Sequence, residues 1–346
     1  MSKWLGNKLS FELSGTSHSD KISIKVHGLP HIKIDEKALL AFMTKRQGGQ
    51  GNGTTPRKET DIPFFIKGVK DSTIINDDVE IVIYNNNINS SDYNDLYGKP
   101  RPSHADYVSY VKEGTLDYRG GGRFSGRLTA LIVTLGGILK QYFKTMNIFS
   151  TAYVSSVGRV NGFSYKYQNY NMNNFDSNGL TSEMIDEIKN AVMCHDSVGA
   201  RVECIISGVK AGIGNDYFEG LEGKIASLIY GIPGVKGVEF GSGFDFTKMY
   251  GSKANDGLYY DNNGNVRTYT NNAGGINGGI TNGNDITLAV AFRPTPSINK
   301  EQKTIDIINK CNTTIKIKGR HDGCIAIRAI PVVESVTYIA LYDEIN

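Results

Sequence analysis

Alternating and β-branched apolar positions predict four strands along the chain. The segments are Ile22–Val26, Val79–Tyr84, Val202–Ser207 and Ile286–Phe292. A strand turns successive side chains to opposite faces, so such runs are expected wherever a sheet buries one face or both.

Helical spacing of apolar residues predicts a second set of elements. The first helix follows Asp35, a residue type preferred at the N-cap, and continues through Leu39 and Met43. Ser125–Phe143 is apolar on nearly every face, which predicts a long buried helix. A last helix is predicted to begin at Pro331, because proline is favoured at the first helical position. Three other segments are amphipathic: Thr181–Met193, Tyr217–Tyr230 and Lys300–Cys311.

The order of these elements indicates an α+β fold. Helices and strands are mixed without the strict alternation of a doubly wound parallel sheet. Two Asn- and Gly-rich stretches, Asn169–Gly179 and Asn262–Asn284, are expected to be loops. We expect a single domain over residues 1–346, in which the first of these loops is either a hinge between two halves or an exposed excursion.

Composition and charge exclude several classes of protein. Of the 346 residues, 39% are hydrophobic and 21% are charged, which is ordinary for a globular protein. The net charge is only +3 and the basic residues are scattered, so nucleic acid is not an expected partner. The longest apolar stretch, Leu128 to Leu139, is far short of the about 20 residues that cross a bilayer, and no signal peptide is evident. We therefore expect a cytoplasmic protein with no membrane contact.

The cysteines are consistent with that compartment. The four of them have neither CxxC nor zinc spacing, so we expect reduced, mostly buried thiols and no metal site. The run Cys194-His195-Asp196 is expected to be structural, because consecutive helical residues point about 100° apart.

Two Gly- and Arg-rich segments carry a signal for anion binding. Residues 117–127 hold three consecutive glycines together with Arg119, Arg123 and Arg127 at the predicted start of a helix. Unpaired N–H groups and the helix dipole favour an anion there, and arginine opposes the dipole unless an anion lies between them. The loop 44–58 is also basic and glycine-rich, so it is either an anion-binding loop or a disordered surface loop.

Three other segments contain histidine or aspartate. His18 lies in a small polar loop, where it is either a functional group or a solvated surface residue. His104 follows Arg101, and Asp322 follows His321, with which it need not work as a pair. No dinucleotide fingerprint, P-loop, nucleophile elbow or HExxH motif is present. The residues alone therefore indicate a polyanionic small molecule or a phosphorylated cofactor as the ligand.

In this order the segments resemble the chorismate synthase family along essentially the whole chain. The family's GESHG, RPGHADY and YRGGGRxSxR appear here at residues 15–19, 101–107 and 118–127. Its VKGVEFGxGF, NNAGGIxGGIxNG and GRHDPCxxxRAxPVVE match residues 235–244, 271–283 and 319–334. Each motif alone is modest, whereas all of them in register are highly specific.

The resemblance implies a fold, an activity and an assembly. The family has a β-α-β sandwich fold and is usually a homotetramer. Its activity is the anti-1,4-elimination of phosphate from 5-enolpyruvylshikimate 3-phosphate, which gives chorismate at the end of the shikimate pathway. Reduced FMN is required although there is no net redox change, and the sequence leaves open whether NADPH serves as the reductant.

The resemblance also assigns roles to residues of this sequence. His18 would be the acid near the departing phosphate, His104 the proton donor to the reduced flavin, and Asp322 the group that assists removal of the C6 proton through flavin N5. The FMN contacts would be Arg123, Phe124, Ser125, Pro233, Gly234, Gly278, Arg293, Pro294, Thr295, Pro296, Ser297 and Arg320. The substrate contacts would be Arg46, Asn52, Arg101 and Arg127.

Several positions depart from the family pattern. Thr16 replaces the glutamate of GESHG, Gly323 replaces the proline after Asp322, and Asn52 stands where many members have arginine or lysine. A lost cation at Asn52 would weaken substrate binding by about 1–3 kcal/mol unless a neighbour replaces it. None of the groups assigned to the chemistry is lost. The sequence therefore favours an active enzyme, with a non-catalytic FMN- or anion-binding paralogue as the alternative.

Overall fold

The computed structural model describes residues 2–49, 53–55, 59–85, 96–114, 121–166, 176, 178–317 and 321–345. Its strands are β1 (Ser2–Leu5), β2 (Ser10–Ser14), β3 (Lys21–His27), β4 (Phe64–Lys67), β5 (Val69–Lys70), β6 (Thr73–Ile74), β7 (Asp78–Tyr84), β8 (Phe149–Val157), β9 (Val160–Asn161), β10 (Ala200–Ser207), β11 (Val235–Phe240), β12 (Leu258–Tyr260), β13 (Val266–Thr268), β14 (Ile276–Asn277), β15 (Ile280–Thr281), β16 (Ile286–Phe292), β17 (Glu301–Asp306) and β18 (Cys311–Lys316). Its helices are α1 (Glu36–Thr44), α2 (Asp106–Glu113), α3 (Thr129–Lys144), α4 (Ser182–Met193), α5 (Leu221–Tyr230), α6 (Gly251–Ala254) and α7 (Ala326–Glu344).

Ten of the described strands form two five-stranded antiparallel sheets. The first has the order β1-β2-β3-β7-β4 and the second the order β11-β16-β10-β8-β9. The four strands predicted from the sequence are confirmed as β3, β7, β10 and β16. None of these four lies at the edge of its sheet, which explains why their apolar patterns are the clearest in the chain.

A layer of helices separates the two sheets. α3 packs against α7 and against β3 and β7 of the first sheet, whereas α7 packs against β8 and β10 of the second. α1 covers α3, and α5 covers α7. One continuous apolar core, which begins at Leu9 and ends at Ile345, joins the three layers. The predicted α+β fold of the β-α-β sandwich type is therefore confirmed.

The two central helices pack very closely. A Cβ atom at Gly136 of α3 would lie 2.2 Å from Ser335 Oγ of α7, so a larger side chain does not fit there. Most residues of both helices are buried, which explains the apolar residues on nearly every face of α3. α3 begins at Thr129 rather than Ser125, because Gly126–Leu128 forms a separate 3₁₀ turn before it.

Side chains cap two other helices, and the predicted cap at Asp35 is confirmed. The Asp35 side chain accepts a hydrogen bond from Ala38 N of α1, and the Thr181 side chain accepts one from Met184 N of α4. These contacts satisfy N–H groups that a helix leaves unpaired in its first turn.

The prediction of an amphipathic helix over Lys300–Cys311 is wrong. The chain forms the hairpin of β17 and β18 there, paired from Glu301 with Lys316 to Asp306 with Cys311. Burial alternates along β17, and the Asp306 carboxylate accepts the N–H groups of Ile308 and Asn309 in the connection. In a short polar segment, alternation is hard to separate from helical spacing until the partner strand is known.

Two helix starts also differ from the predictions. α7 begins at Ala326, and Pro331 lies inside it rather than at its first position. The packing of this almost fully buried helix outweighs the cost of an internal proline. The segment Tyr217–Tyr230 is interrupted at Gly220, so a 3₁₀ turn (Tyr217–Glu219) precedes α5.

The loops and cysteines bring further corrections. Asn262–Asn284 contains the short strands β13, β14 and β15, so the prediction of a loop over this whole segment is only partly correct. Most of Asn169–Gly179 lies outside the described residues, and a hinge there stays a prediction. Cys204 and Cys324 are buried, whereas Cys194 and Cys311 are exposed, so the expectation of mostly buried thiols holds for only half of them. Among the described residues, no helix is long and apolar enough to span a membrane.

Asp343 ties the end of α7 to the connection between β1 and β2. Its carboxylate accepts the N–H groups of Lys8 and Leu9 at 2.8 and 3.0 Å, and it pairs with Lys224 Nζ at 3.0 Å. Burial raises the pKa of Asp343, but these donors outweigh burial and hold the pKa below its ordinary value. The carboxylate is therefore a charged anchor for the edge of the first sheet.

We expect Asp343→Ala to lower the free energy of unfolding by roughly 2–4 kcal/mol, because the two backbone donors lose their buried acceptor. Urea denaturation followed by circular dichroism measures this change. The control is Asp186→Ala, which removes an exposed carboxylate paired with Lys189 and should leave stability unchanged. A loss no larger than that of the control would mean that the anchor contributes nothing.

Candidate functional site

Two adjoining cavities lie where α3 and α7 begin. The first, of about 190 Å³, we call the arginine cavity, and its charged lining residues are Arg46, Glu59, Arg127, Asp322 and Arg328. The second, of about 200 Å³, we call the proline cavity, and its lining includes Arg101, His104, Phe124, Gly234 and the run Arg293, Pro294, Thr295, Pro296 and Ser297. The residues that line both are Ser125, Gly126, Pro233, Thr295, His321 and Ile325. The two cavities are therefore adjacent and share one wall.

The N-termini of both central helices contribute to the arginine cavity. Thr129 is the first residue of α3 and Ile325 is the N-cap of α7, and both line the cavity. Neither helix has an acidic residue in its first turn. Their dipoles therefore add positive potential where an anionic ligand would lie.

A buried ion cluster of Arg46, Asp61 and Arg127 supports the arginine cavity. The Asp61 carboxylate accepts hydrogen bonds from both guanidinium groups, and Glu59 pairs with Arg127 at 3.0 Å. Burial raises the pKa of Asp61, but the two arginines outweigh burial and hold the pKa below its ordinary value. Burial also lowers the pKa of Arg46, and the nearby charges of Arg328 and Arg127 add to this effect, although Asp61 opposes it.

The protein itself supplies anions for two of the three arginines that precede α3, and the third, Arg119, lies outside the described residues. Arg127 pairs with Glu59 and Asp61, and Arg123 pairs with Glu113 at the end of α2. The sequence suggests that an external anion offsets these charges, but carboxylates of the same chain already do so. A ligand anion in the arginine cavity would share Arg127 with them.

Asn85 connects Arg127 to the loop that carries His18. Arg127 Nε donates to Asn85 Oδ1 at 2.7 Å, and Asn85 Nδ2 donates to the backbone oxygen of Ser19 at 2.6 Å. Ser17 N donates to Gly122 O at 3.2 Å. His18 therefore belongs to a loop held against the glycine-rich turn before α3, but it is not among the residues that line either cavity.

Both carboxylate oxygens of Asp322 are held in the arginine cavity. Oδ2 accepts a hydrogen bond from Arg328 Nη1 at 2.9 Å, and Oδ1 accepts one from Thr55 N at 2.9 Å. His321, the preceding residue, lines both cavities. These two neighbours in sequence thus both line the arginine cavity.

In the proline cavity, His104 is oriented by a buried carboxylate. His104 Nδ1 lies 2.6 Å from Asp106 Oδ1, and Arg101 donates to both oxygens of Asp106 at 2.7 Å each. Arg101 Nη2 also lies 3.1 Å from Nδ1, but it already donates to Asp106 Oδ1. The shorter contact with the carboxylate, which only accepts, assigns the proton to Nδ1 and leaves Nε2 to act on a ligand. Burial raises the pKa of Asp106, but Arg101 and His104 hold it far below its ordinary value.

The proline cavity also has features that fit a planar, phosphorylated group. Thr295 Oγ1 is buried and has no hydrogen-bond partner among the described residues, so a bound polar group would satisfy it. Phe124 exposes 42% of its surface, and the guanidinium of Arg123 lies 4.8 Å from the centre of its ring. An aromatic face, a buried donor and Arg293 therefore surround one space.

Most of the residues assigned from the sequence line these cavities. Arg46, Arg127 and Asp322 line the first, and Arg101, His104, Phe124, Ser125, Pro233, Gly234 and Arg293, Pro294, Thr295, Pro296 and Ser297 line the second. Arg123 and Gly278 line neither: Arg123 pairs with Glu113, and Gly278 lies in the turn between β14 and β15. Asn52 and Arg320 lie outside the described residues.

Sequence reasoning missed Asp61, Asn85, Asp106 and Arg328. Asp106 and Arg328 lie inside the matched motifs, and Asp61 closes a short acidic run directly after the basic loop. A search for carboxylates to balance the arginines would have found Asp61 and Asp106. Asn85 carries no such signal, because its role depends on the end of β7 lying beside the His18 loop.

The fold and the cavities define an α+β sandwich protein with a two-part, arginine-rich site for a small anionic ligand. Comparison with known proteins makes this class specific. A sequence model of the family described as chorismate synthase matches residues 9–345. The chain belongs to the chorismate synthase family, enzymes of the shikimate pathway, as its motifs predict.

Individual relatives agree with this assignment. The chorismate synthase of Dehalococcoides mccartyi is 38% identical over 353 residues, which span 99% of this chain and 96% of that protein. The chorismate synthase of Thermococcus kodakarensis is 38% identical over 344 residues, or 98% and 96% of the two chains. A crystal structure of a chorismate synthase superposes with a TM-score of 0.75 over 98% of this chain and 92% of that chain. At 22% identity, this last likeness supports the fold.

We expect Asp61→Asn to lower the free energy of unfolding by roughly 3–5 kcal/mol at neutral pH, because it leaves buried arginine charge uncompensated. The pKa of Asp61 is lowered by folding, so its contribution is complete above the unfolded pKa of about 3.9 and is lost as the pH falls through the lower folded pKa. The difference between wild type and variant should therefore shrink in acid.

Urea denaturation at several pH values measures this dependence. Asp78→Asn is the matched control, since Asp78 also has a pKa lowered by its partners, His27 first, but it is exposed and should contribute little. A pH-independent difference for Asp61→Asn would contradict the ion-pair explanation.

Proposed function

We propose that this protein catalyses the anti-1,4-elimination of phosphate from 5-enolpyruvylshikimate 3-phosphate, with chorismate as the product, and is thus a carbon–oxygen lyase. The observation that carries the proposal is the shared wall of the adjoining arginine and proline cavities. It brings an arginine-rich surface, an aspartate and a carboxylate-oriented histidine from distant parts of the chain to one site. Membership of the chorismate synthase family supports the same reaction.

The arginine cavity is proposed to bind the substrate. The substrate carries one phosphate and two carboxylates, so a closed site needs several positive groups to offset the desolvation of its charges. Arg46 and Arg127 supply two of them, and Asp61 fixes both guanidinium groups before the substrate binds, which lowers the ordering cost of binding. Arg101 is committed to Asp106 and acts by orienting that carboxylate.

The proline cavity is proposed to bind reduced FMN. Ser125, Pro233–Gly234 and Arg293–Ser297 would hold it, with Thr295 Oγ1 as a hydrogen-bonding group. FMN is favoured over FAD because no dinucleotide fingerprint is present. Once bound, reduced FMN supplies the transient electron that helps the phosphate to leave. NADPH is proposed as a candidate reductant of the flavin.

Three residues are proposed to handle protons. Asp106 fixes His104 Nδ1, so Nε2 would donate a proton toward the flavin. Asp322 keeps a lone pair on each oxygen beside the donors that hold it, so it can assist removal of the C6 proton. His18 would protonate the departing phosphate, and it must approach the arginine cavity when the substrate binds, because it does not line that cavity in this structure.

We also propose a cytoplasmic homotetramer. Large apolar side chains are strongly exposed along residues 244–269, where Phe244, Tyr250, Leu258, Tyr260 and Tyr269 each expose at least 70% of their surface. Exposed apolar patches of this kind commonly mark contacts between proteins. Light scattering coupled to size-exclusion chromatography tests the assembly, and a monomer at micromolar concentration would contradict it.

The function is tested by an anaerobic assay of chorismate formation with photoreduced FMN, with and without NADPH. We expect turnover by the wild type and a decrease of roughly 10²-fold or more for His104→Ala, the usual scale for an acid–base group. The matched control is His27→Ala, which removes a histidine that contacts an aspartate at 2.9 Å on an exposed sheet face. It should keep wild-type turnover.

Each other outcome has a distinct meaning. A folded wild type that binds FMN without turnover would favour the non-catalytic paralogue. Wild-type activity in His104→Ala would remove His104 from the chemistry while leaving the reaction in place. Preference for FAD over FMN would contradict the proposed cofactor site.

A further inference from the structure

Arg328, in the first turn of α7, contacts two groups that the reaction requires. Its Nη1 donates to Asp322 Oδ2 at 2.9 Å, and its Nε donates to the backbone oxygen of Arg46 at 2.9 Å. Arg328, Asp322 and Arg46 all line the arginine cavity. One guanidinium group therefore joins the proposed proton acceptor to the backbone of a proposed substrate-binding residue.

The geometry of Asp322 depends on more than one donor. Thr55 N donates to its other oxygen, Oδ1, at 2.9 Å. With one donor on each oxygen, the carboxylate cannot rotate about its χ2 bond without losing a hydrogen bond. Arg328 supplies the charged partner of the two, and charge-assisted hydrogen bonds are the stronger kind.

The backbone beside Asp322 strengthens this connection in a way that is particular to this chain. Gly323, which replaces the proline of the family motif, donates its N–H to Gly53 O at 2.7 Å. A proline there would have no N–H to donate. A Cβ atom at Gly323 would also lie 2.5 Å from Val192 Cγ2, so Val192 of α4 packs directly against the backbone at Gly323.

We propose that Arg328 is a positioning residue, which holds the Asp322 carboxylate and the Arg46 backbone in the relative arrangement that proton removal requires. This inference rests on the proposed function. The positioning role does not need Arg328 to touch the substrate. In the competing role Arg328 would bind an anionic group of the substrate directly, and kinetics distinguish the two roles. A positioning role lowers kcat, whereas a direct ligand mainly raises KM.

The experiment compares Arg328→Gln and Arg328→Lys with the wild type in the anaerobic assay with photoreduced FMN. Arg328→Gln removes the cation beside Asp322, and we expect kcat to fall by about 10²-fold, the scale of a small misplacement, with little change in KM. Arg328→Lys keeps a cation for Asp322 but loses the planar fork that also reaches Arg46, so we expect it to recover part of kcat.

The matched control is Arg201→Gln. Like Arg328, Arg201 is partly exposed and pairs with a carboxylate. Its Nε contacts Glu203, and it does not line either cavity. Its loss should lower the unfolding midpoint and leave kcat and KM unchanged. Circular dichroism and binding of oxidised FMN show whether each variant is folded and keeps its flavin site.

Wild-type kcat in Arg328→Gln would overturn the proposal, and so would a rise in KM without a fall in kcat. If Arg328→Gln does not fold, Arg328→Lys decides the question. A folded Arg328→Lys that loses no more kcat than Arg201→Gln would also overturn the proposal. Absence of turnover in the wild type would instead overturn the proposed function, and the role of Arg328 with it.

Discussion

The site depends on the pairing of buried arginine charge with Asp61. A guanidinium group that is removed from water destabilises the fold unless a carboxylate or several acceptors compensate it. Asp61 compensates Arg46, which follows α1, and Arg127, which precedes α3, while Asp61 itself precedes β4. The ion cluster therefore fixes three segments of the chain relative to one another. It also holds two cations at the cavity wall at a fixed separation.

The sandwich places this cluster where helix dipoles reinforce it. The long buried helices α3 and α7 lie side by side between the sheets, and both of their N-termini reach the arginine cavity. The same packing places the arginine cluster in one cavity and the histidine oriented by Asp106 in the adjoining one.

Three carboxylates, two buried and one partly buried, have a common function in this arrangement. Asp61, Asp106 and Asp322 each accept hydrogen bonds from an arginine, and in each case the arginine or its partner lines a cavity. Positive groups that would repel one another are thereby held together before any ligand binds. One departure from the predicted family motif lies beside Asp322, where Gly323 donates its N–H to Gly53 O.

The sequence by itself determined the central strands, the capped helices α1 and α4, the fold class and the family. These depend on local periodicity, local capping and motifs in register, all of which can be identified in the amino-acid sequence alone. It failed at β17–β18 and at the start of α7, since a hairpin needs its partner and a buried proline is tolerated only through packing. The site residues inside motifs could be named, but their partners could not. Asp61, Asn85 and Arg328 each make a contact that spans a long stretch of the chain, of 66, 42 and 282 positions respectively, and only the tertiary structure brings such residues together.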